Sequence, residues 1–330
     1  MSILPSRSLP IRCKRSPRAA AGLALVILAS CSGPKSLQPG ADRKINCNLQ
    51  ADHQYAAGDL PVALHEVAVE PLLTGHFSKA SLNVANSIGV LDLLGEYTRL
   101  KQKQRAIPSL EQKVELLELS HTITQRIDLA SLEISSVTAE LDCEEERISQ
   151  IADYLTARSR TAETRLTVAA IAVGAFGSMT PIILDGKQAD RAGLAAGIAE
   201  AALGAMILLN DRKVNVQHPR NALSDIWEGP QTSRVFPPFV WYYLNYRDPG
   251  DQASVSLRTK IIDQWKGFGQ VERLKPKEQA SHQELYFGNG GRYDTDQLYN
   301  RANMYDQLES SIKLIKQDLT QLALELGGLQ

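Results

Sequence analysis

A run of sixty-five residues, from Ser109 to Val173, contains neither proline nor glycine. Proline and glycine are the residues that a helix interior tolerates least, so this run can form one very long helix. It opens on the capping-box spacing Ser109 to Gln112. Apolar residues then recur in a heptad pattern, which predicts a coiled coil. The heptad residues are Ile123, Ile127, Ala130, Ile134, Val137, Leu141, Ile148, Ile151 and Leu155.

Two polar residues interrupt the heptad pattern, Glu144 and Arg158. A polar residue at such a position more often sets register or oligomeric state than carries chemistry. The acidic run 143–146 could form a metal site, but a solvated helix face explains it better. We therefore interpret this part of the helix as a structural element that could also support self-association.

The helical phase continues through Ala162, Ala169 and Phe176 into an apolar arm, residues 166–184. The charged turn 185–191 separates this arm from a second apolar arm, residues 192–210. Each arm has nineteen residues, and such a helix is about 28 Å long, close to the ~30 Å hydrocarbon core of a bilayer. The arms are therefore candidates for a membrane hairpin.

Small residues spaced by four in both arms predict close helix packing, as in membrane helix pairs. They are Ala170, Gly174, Ser178, Gly193, Gly197, Ala201 and Ala205. Pro181 is expected to kink the first arm. The same residues also suit a tightly packed soluble bundle, and Glu200 favours that alternative because a carboxylate costs about 2.5 kcal/mol or more at the bilayer centre. The sequence leaves both interpretations open.

Other helices are predicted from capping residues, prolines and apolar spacing. They cover residues 59–75, 78–105, 221–227, 254–266 and 294–326, and the apolar seam of the last one predicts that it packs along the coiled coil. Residues 285–293 suggest a small β-hairpin around an Asn-Gly turn or an ordered loop. Only 6% of the residues are aromatic, which also favours helices over sheets. The sequence thus predicts a mostly α fold: an elongated helical bundle with a long antiparallel coiled-coil hairpin, tipped by the Ala/Gly-rich apolar hairpin.

Charge is distributed unevenly along the chain. The first thirty residues carry five basic residues and no acidic residue, although the whole chain has a net charge of −1. Residues 31–330 are therefore net acidic, at −6. An acidic body without a basic stripe argues against a nucleic-acid partner.

The N-terminus has the layout of a secretory signal: basic residues 12–18, the apolar run 19–28, and small residues before Cys31. The sequence Leu28-Ala29-Ser30-Cys31 resembles the lipobox of bacterial lipoproteins. The resemblance covers only residues 1–31. It implies cleavage between Ser30 and Cys31, acylation of Cys31 and, because Ser32 is not Asp, an outer-membrane location on the periplasmic face. Inner-membrane retention is the alternative.

With a signal peptide at 1–30, residues 31–50 are expected to form a lipidated tether. The helical and coiled-coil region then covers 51–210, and a C-terminal helical region covers 211–330. If Cys31 is acylated, Cys47 and Cys143 remain as an even pair in an oxidising compartment, and we hypothesise a disulfide between them. Two unpaired thiols are the alternative.

The densest aromatic cluster lies at residues 236–246, and all three tryptophans fall between Trp227 and Trp265. Such a cluster could form an interfacial aromatic belt or a platform on which glycan rings stack. More often it is hydrophobic core beneath a loop. The sequence favours the core but does not exclude glycan binding.

Enzyme motifs are absent from the sequence: we find no nucleophile elbow, P-loop, zinc-protease helix or Cys-x-x-Cys pair. The six histidines lack metal-ligand spacing. We therefore expect no catalytic residue, metal, cofactor or small-molecule substrate. The first hypothesis is a non-enzymatic envelope lipoprotein with a structural or interaction role. The alternatives are a membrane-inserting protein, analogous to pore-forming toxins, that uses hairpin 166–210, and a glycan-binding module that uses cluster 236–246.

Overall fold

The computed structural model describes residues 47, 52–210, 212–271 and 276–329, with backbone only for 276–280. Residues 45–330 form one compact unit with its own hydrophobic core. The fold is mostly α, and a small two-stranded sheet accompanies the helices. One very long helix makes it an elongated helical fold, as the sequence predicts.

The long helix α4 covers Leu110–Ile183, about 110 Å at 1.5 Å per residue. The Ser109 side chain caps it by accepting a hydrogen bond from the Gln112 backbone N–H at 3.2 Å. Apart from the half-buried Ile151, the heptad residues are buried. Glu144, which interrupts the heptads, pairs with Arg147 at 2.6 Å.

The heptad face of α4 is covered by the last helices of the chain. Helix α10 (Thr295–Lys313) begins at Asp294, which forms a capping box with Gln297, and α11 (Ile315–Leu329) follows it. Both pack on α4, with α3 (Leu91–Ala106) as a further neighbour. The single helix predicted for 294–326 is thus divided at Leu314 and extends through two glycines to Leu329.

The N-terminal part of the fold departs from the sequence prediction in two places. The helix predicted for 59–75 is instead two short 3₁₀ turns, 57–59 and 64–66, and helix α1 (Pro71–Thr74), because the residue before a proline is disfavoured in helix. The helix predicted for 78–105 is divided into α2 (Lys79–Ser87) and α3. The division lies at Gly89, whose φ of 70° is outside the right-handed helical region.

The chain returns from the tip of α4 through α5 (Lys187–Leu208) and enters strand β1 (Val214–Gln217). This strand pairs antiparallel with β2 (Gly290–Tyr293), with Val214 opposite Tyr293. The β-hairpin predicted for 285–293 is therefore wrong, because 276–287 form helix α9 (Pro276–Phe287) and only β2 is extended. A side chain at Gly290 would place its Cβ 2.2 Å from the Val216 carbonyl oxygen, so the close strand pairing requires glycine.

Three more helices complete the described part of the body: α6 (Ala222–Glu228), α7 (Pro238–Asn245) and α8 (Leu257–Gly267). Helix α7 packs on α2 and α8, and α8 also contacts α10. Their buried side chains belong to the same core as the heptad residues of α4. The body is therefore built around the N-terminal two thirds of α4, and the tip of α4 is left to pair with α5.

Candidate functional site

The outer surface of the α4–α5 hairpin is apolar, and the described part of the body does not cover it. Eleven large apolar side chains there are 53–86% exposed: Val168, Ile171, Phe176, Met179, Ile182, Ile183, Leu194, Ile198, Met206, Leu208 and Leu209. Both helices are long and apolar enough to cross a membrane, and 6% and 0% of the residues in their most apolar windows are buried. A core helix of a soluble protein would bury most of such a window.

The inner surface of the hairpin packs through small side chains. A Cβ at Gly177 would lie 2.8 Å from the Ala196 Cβ, and a Cβ at Gly174 would lie 3.0 Å from Glu200 Oε1. The two helices are thus in close contact. Because Gly174 has no side chain, the Glu200 carboxylate extends into the space beside it. This carboxylate of α5 therefore lies against α4.

The predicted small-residue set is divided between the two surfaces. Ala170, Gly174 and Gly193 are half-buried, and Gly174 and Gly193 face the other helix. The other members are exposed, so the prediction that they pack between the arms is wrong for them: Ser178, Gly197, Ala201 and Ala205. The predicted heptad phase also fails at Phe176, which is 65% exposed while Gly177 faces α5, because a straight helix drifts relative to a seven-residue repeat.

Helix α4 continues past Pro181 to Ile183. Proline has no N–H, so the Gly177 carbonyl, four residues earlier, loses its usual backbone donor. The Thr180 hydroxyl replaces that donor, with its Oγ1 2.6 Å from the Gly177 oxygen. A backbone carbonyl without a donor would be costly in hydrocarbon, so this local hydrogen bond makes the proline compatible with a lipid environment.

Of the cysteines named above, Cys31 lies outside the described residues, as does the predicted cleavage site. Cys47 and Cys143 are joined as a disulfide with a Cα–Cα distance of 5.5 Å, within the usual range. The bond attaches the start of the described chain to the middle of α4. Cys143 lies twenty-three residues before the first apolar arm.

An ion-pair network reinforces this attachment. The Arg220 guanidinium donates to Asp52 Oδ1 at 2.5 Å and to Glu140 Oε1 at 2.6 Å. Asp52 also accepts from Arg234, and these hydrogen bonds hold the pKa of Asp52 below its ordinary value. Burial raises the pKa of Glu140 despite its hydrogen bond to Arg220. The sequence shows no sign of this network because its members are far apart along the chain.

A small cleft of about 220 Å³ lies beside the network, lined in part by His218, Asn221 and Asp225. Its volume is below the roughly 300–1,000 Å³ of typical ligand pockets. His218 is buried, and its Nε2 is 2.8 Å from the Tyr293 hydroxyl, which donates to the Leu285 carbonyl. Tyr293 therefore accepts from His218 Nε2–H. Burial strongly lowers the pKa of His218, so this histidine is neutral. Its hydrogen bond to Tyr293 links the residue after β1 to the last residue of β2.

The aromatic cluster 236–246 is mainly hydrophobic core. Phe236, Trp241 and Tyr242 are buried. The rings of Phe236 and Trp241 stack on each other with centroids 5.6 Å apart, so one face of each ring is occupied. A groove of about 480 Å³ passes the cluster and is lined in part by Tyr246 and His65. The cluster thus presents few free ring faces to a glycan.

Among the described residues, no group of three or more His, Cys, Asp or Glu side chains is arranged to hold a metal ion. Comparison with known proteins gives no further guide: no family model, curated protein or solved structure matches this chain. The exposed apolar hairpin is therefore the strongest candidate for a functional site.

Proposed function

We propose that this chain is a non-enzymatic lipoprotein of the bacterial envelope whose α4–α5 hairpin inserts into a lipid bilayer. The observation that carries the proposal is the set of eleven exposed apolar side chains on the hairpin. Soluble monomers rarely expose contiguous apolar patches beyond a few hundred Å². A hydrocarbon environment would cover this surface on all sides without a second protein.

The energies favour insertion over a solvated hairpin. Burial of one large apolar side chain contributes about 1.5–3 kcal/mol, so eleven that are roughly two-thirds exposed contribute on the order of 10–20 kcal/mol. The opposing cost of Glu200, the one ionisable residue in either arm, is about 2.5–3.5 kcal/mol at the bilayer centre. Glu200 is exposed, although its carboxylate also lies against Gly174. Even this full cost is smaller than the apolar contribution, so the apolar contribution dominates.

The envelope location is supported by two independent features. The lipobox-like sequence at Cys31 implies export and acylation, and a disulfide between Cys47 and Cys143 suits an oxidising compartment. Chain length permits both attachments in one membrane. The disulfide holds Cys47 at Cys143, which lies about 35 Å along α4 from the first apolar arm. The sixteen residues from Cys31 to Cys47 reach at most about 55 Å, which is longer than that distance. An acyl group on Cys31 can therefore enter the same membrane as the hairpin.

The test is to export the chain without its acyl anchor. Residues 1–31 are replaced by a cleavable signal peptide that is not of the lipoprotein type, and the cells are fractionated. The unlipidated chain is expected to stay in the membrane fraction and to resist carbonate extraction. Recovery as a soluble monomer would overturn insertion. Recovery as a soluble oligomer would equally overturn it and would assign the apolar surface to a second copy of the chain.

Matched variants assign the effect to the hairpin. In the unlipidated chain, Ile171→Asp with Ile198→Asp should move the protein to the soluble fraction, because each adds a charge to the proposed lipid-facing surface. The control pair is Leu117→Asp with Leu132→Asp, at α4 positions that are 70% and 67% exposed but lie outside the hairpin. The control should fractionate like the parent protein.

A further inference from the structure

Basic residues gather at the base of the apolar hairpin. The Asn210 side chain, just after α5, donates to the Ser159 carbonyl of α4 at 3.3 Å. In the sequence, segments 158–165 and 210–213 adjoin this contact. Together they hold two acidic and five basic residues, for a net charge of +3. We name the five basic residues the basic collar: Arg158, Arg160, Arg165, Arg212 and Lys213.

The basic collar faces the solvent next to the apolar surface. Arg160, Arg165 and Lys213 are exposed, whereas Arg158 and Arg212 are half-buried. Arg212 donates to the Asn210 side chain at 3.3 Å, and Lys213 lies 4.0 Å from an Asp294 oxygen. Arg160 and Arg165 are therefore the members best placed to meet a partner outside the protein.

The opposite end of the hairpin has no such excess. The turn 185–191 contains two acidic and two basic residues, so its net charge is zero. A hairpin in a bilayer would thus have a cationic base and a neutral tip, separated by apolar helices about as long as the hydrocarbon core is thick. Arginine side chains at the level of the headgroups can form paired hydrogen bonds with phosphate oxygens.

We infer that the basic collar binds the headgroups of anionic glycerophospholipids in the leaflet from which the hairpin enters. The inference rests on the proposed insertion of the hairpin and identifies the lipid class that it selects. Each Lys or Arg near an anionic membrane surface strengthens binding about fivefold. The apolar surface supplies affinity for any bilayer, and the basic collar supplies the preference for an anionic one.

The test uses residues 45–330, the unit that contains the whole described core and the disulfide but lacks the acyl anchor. Binding is measured by flotation with vesicles of phosphatidylcholine, with and without phosphatidylglycerol. The protein is expected to bind both and to bind the anionic vesicles more tightly. This preference should fade at high salt, because the screening length falls from about 10 Å at 0.1 M to about 3 Å at 1 M.

A double variant tests the basic collar itself. Arg160→Gln with Arg165→Gln should weaken binding to anionic vesicles by about 25-fold, at roughly fivefold per charge, and leave binding to neutral vesicles unchanged. The control is Lys113→Gln with Arg126→Gln, which removes the same charge from exposed positions on α4. Arg126 is about 50 Å along the helix from Arg160, so the control should retain the anionic preference.

The outcomes separate the two proposals. Equal binding of the wild-type unit to neutral and anionic vesicles would overturn the role of the basic collar while leaving insertion intact. A loss of binding to neutral vesicles in the Arg160/Arg165 variant would also overturn it, because those residues would then support the hairpin and not recognise charge. Failure of the wild-type unit to bind either vesicle would instead contradict insertion.

Discussion

Arg220 connects three distant parts of the chain through one planar side chain. Its guanidinium reaches Asp52 near the start of the described body, Glu140 on α4 and the Arg234 carbonyl, which lies 2.6 Å from Nη1. A planar guanidinium group makes such paired contacts with carboxylates better than the ammonium group of lysine does. The network holds the first described residues on the body beside the disulfide.

The Asp52→Asn variant should lower the free energy of unfolding by about 1–2 kcal/mol at neutral pH, because Arg220 and Arg234 lose a charged acceptor. The arginine hydrogen bonds place the folded pKa of Asp52 below its ordinary value of 3.8. Its contribution is therefore fully present above pH 3.8 and is lost as the pH falls through the lower, folded pKa. Chemical denaturation of both proteins across this range measures the difference.

Two comparisons make the Asp52 measurement specific. Asp263→Asn, at an exposed position on α8, should change the stability little at any pH. The difference between Asp52→Asn and the wild type should shrink in acid. A difference that persists unchanged at pH values well below 3.8 would show that the variant acts through packing and not through the charge of Asp52.

The long helix and the hairpin show how far local patterns predict this fold. The absence of proline and glycine and the heptad spacing of Ile127, Ile134 and Leu141 predict the extent and buried face of α4 well. The apolar seam of 294–326 also predicts that the last helix packs along the coiled coil, and α10 and α11 do pack on α4. The local patterns do not predict that α3 packs there as well, because such tertiary packing leaves no local signal.

The packing residues of the hairpin were predicted less well than its existence, for a geometric reason. Four residues turn a helix by 400°, so each step of four moves 40° around the axis. Gly193 to Ala205 is three such steps, a rotation of about 120°, and Ala205 is accordingly exposed. Residues spaced alternately by three and four stay on one side of a helix. Gly193, Ala196 and Glu200 have this spacing, and all three face α4.

This geometry predicts opposite effects for two glycine variants of the hairpin. Gly177→Ala should loosen it by about 1–3 kcal/mol, because the new Cβ would lie 2.8 Å from the Ala196 Cβ. Gly197→Ala should stabilise it by up to about 1 kcal/mol, since nothing lies within 4 Å and alanine favours helix. Hydrogen exchange of the α5 amides measures both. Equal effects would contradict the inner and outer assignment of these positions.

The whole molecule combines a body with a buried core and a hairpin with an exposed apolar surface. The exposed residues Ile171 and Leu208 differ from body residues such as Leu141 and Leu308, which are at most 1% exposed. Both regions share α4, so the hairpin extends directly from the body's central helix. The sequence predicts the apolar arms, but only the structure shows that the body leaves them uncovered. Stability and the proposed membrane binding should therefore respond to different substitutions.

The Cys143→Ser variant tests this separation. The disulfide joins residues ninety-six positions apart, and removing such a crosslink is expected to lower the free energy of unfolding by about 2–4 kcal/mol, largely because the unfolded chain gains freedom. In residues 45–330, vesicle binding should stay unchanged at temperatures where the variant is folded, because the hairpin lies about 35 Å farther along α4. Denaturant unfolding and flotation on the same preparation measure the two quantities. Reduction of the wild-type disulfide should reproduce the stability loss, whereas a folded variant that no longer binds vesicles would show that the body controls the hairpin.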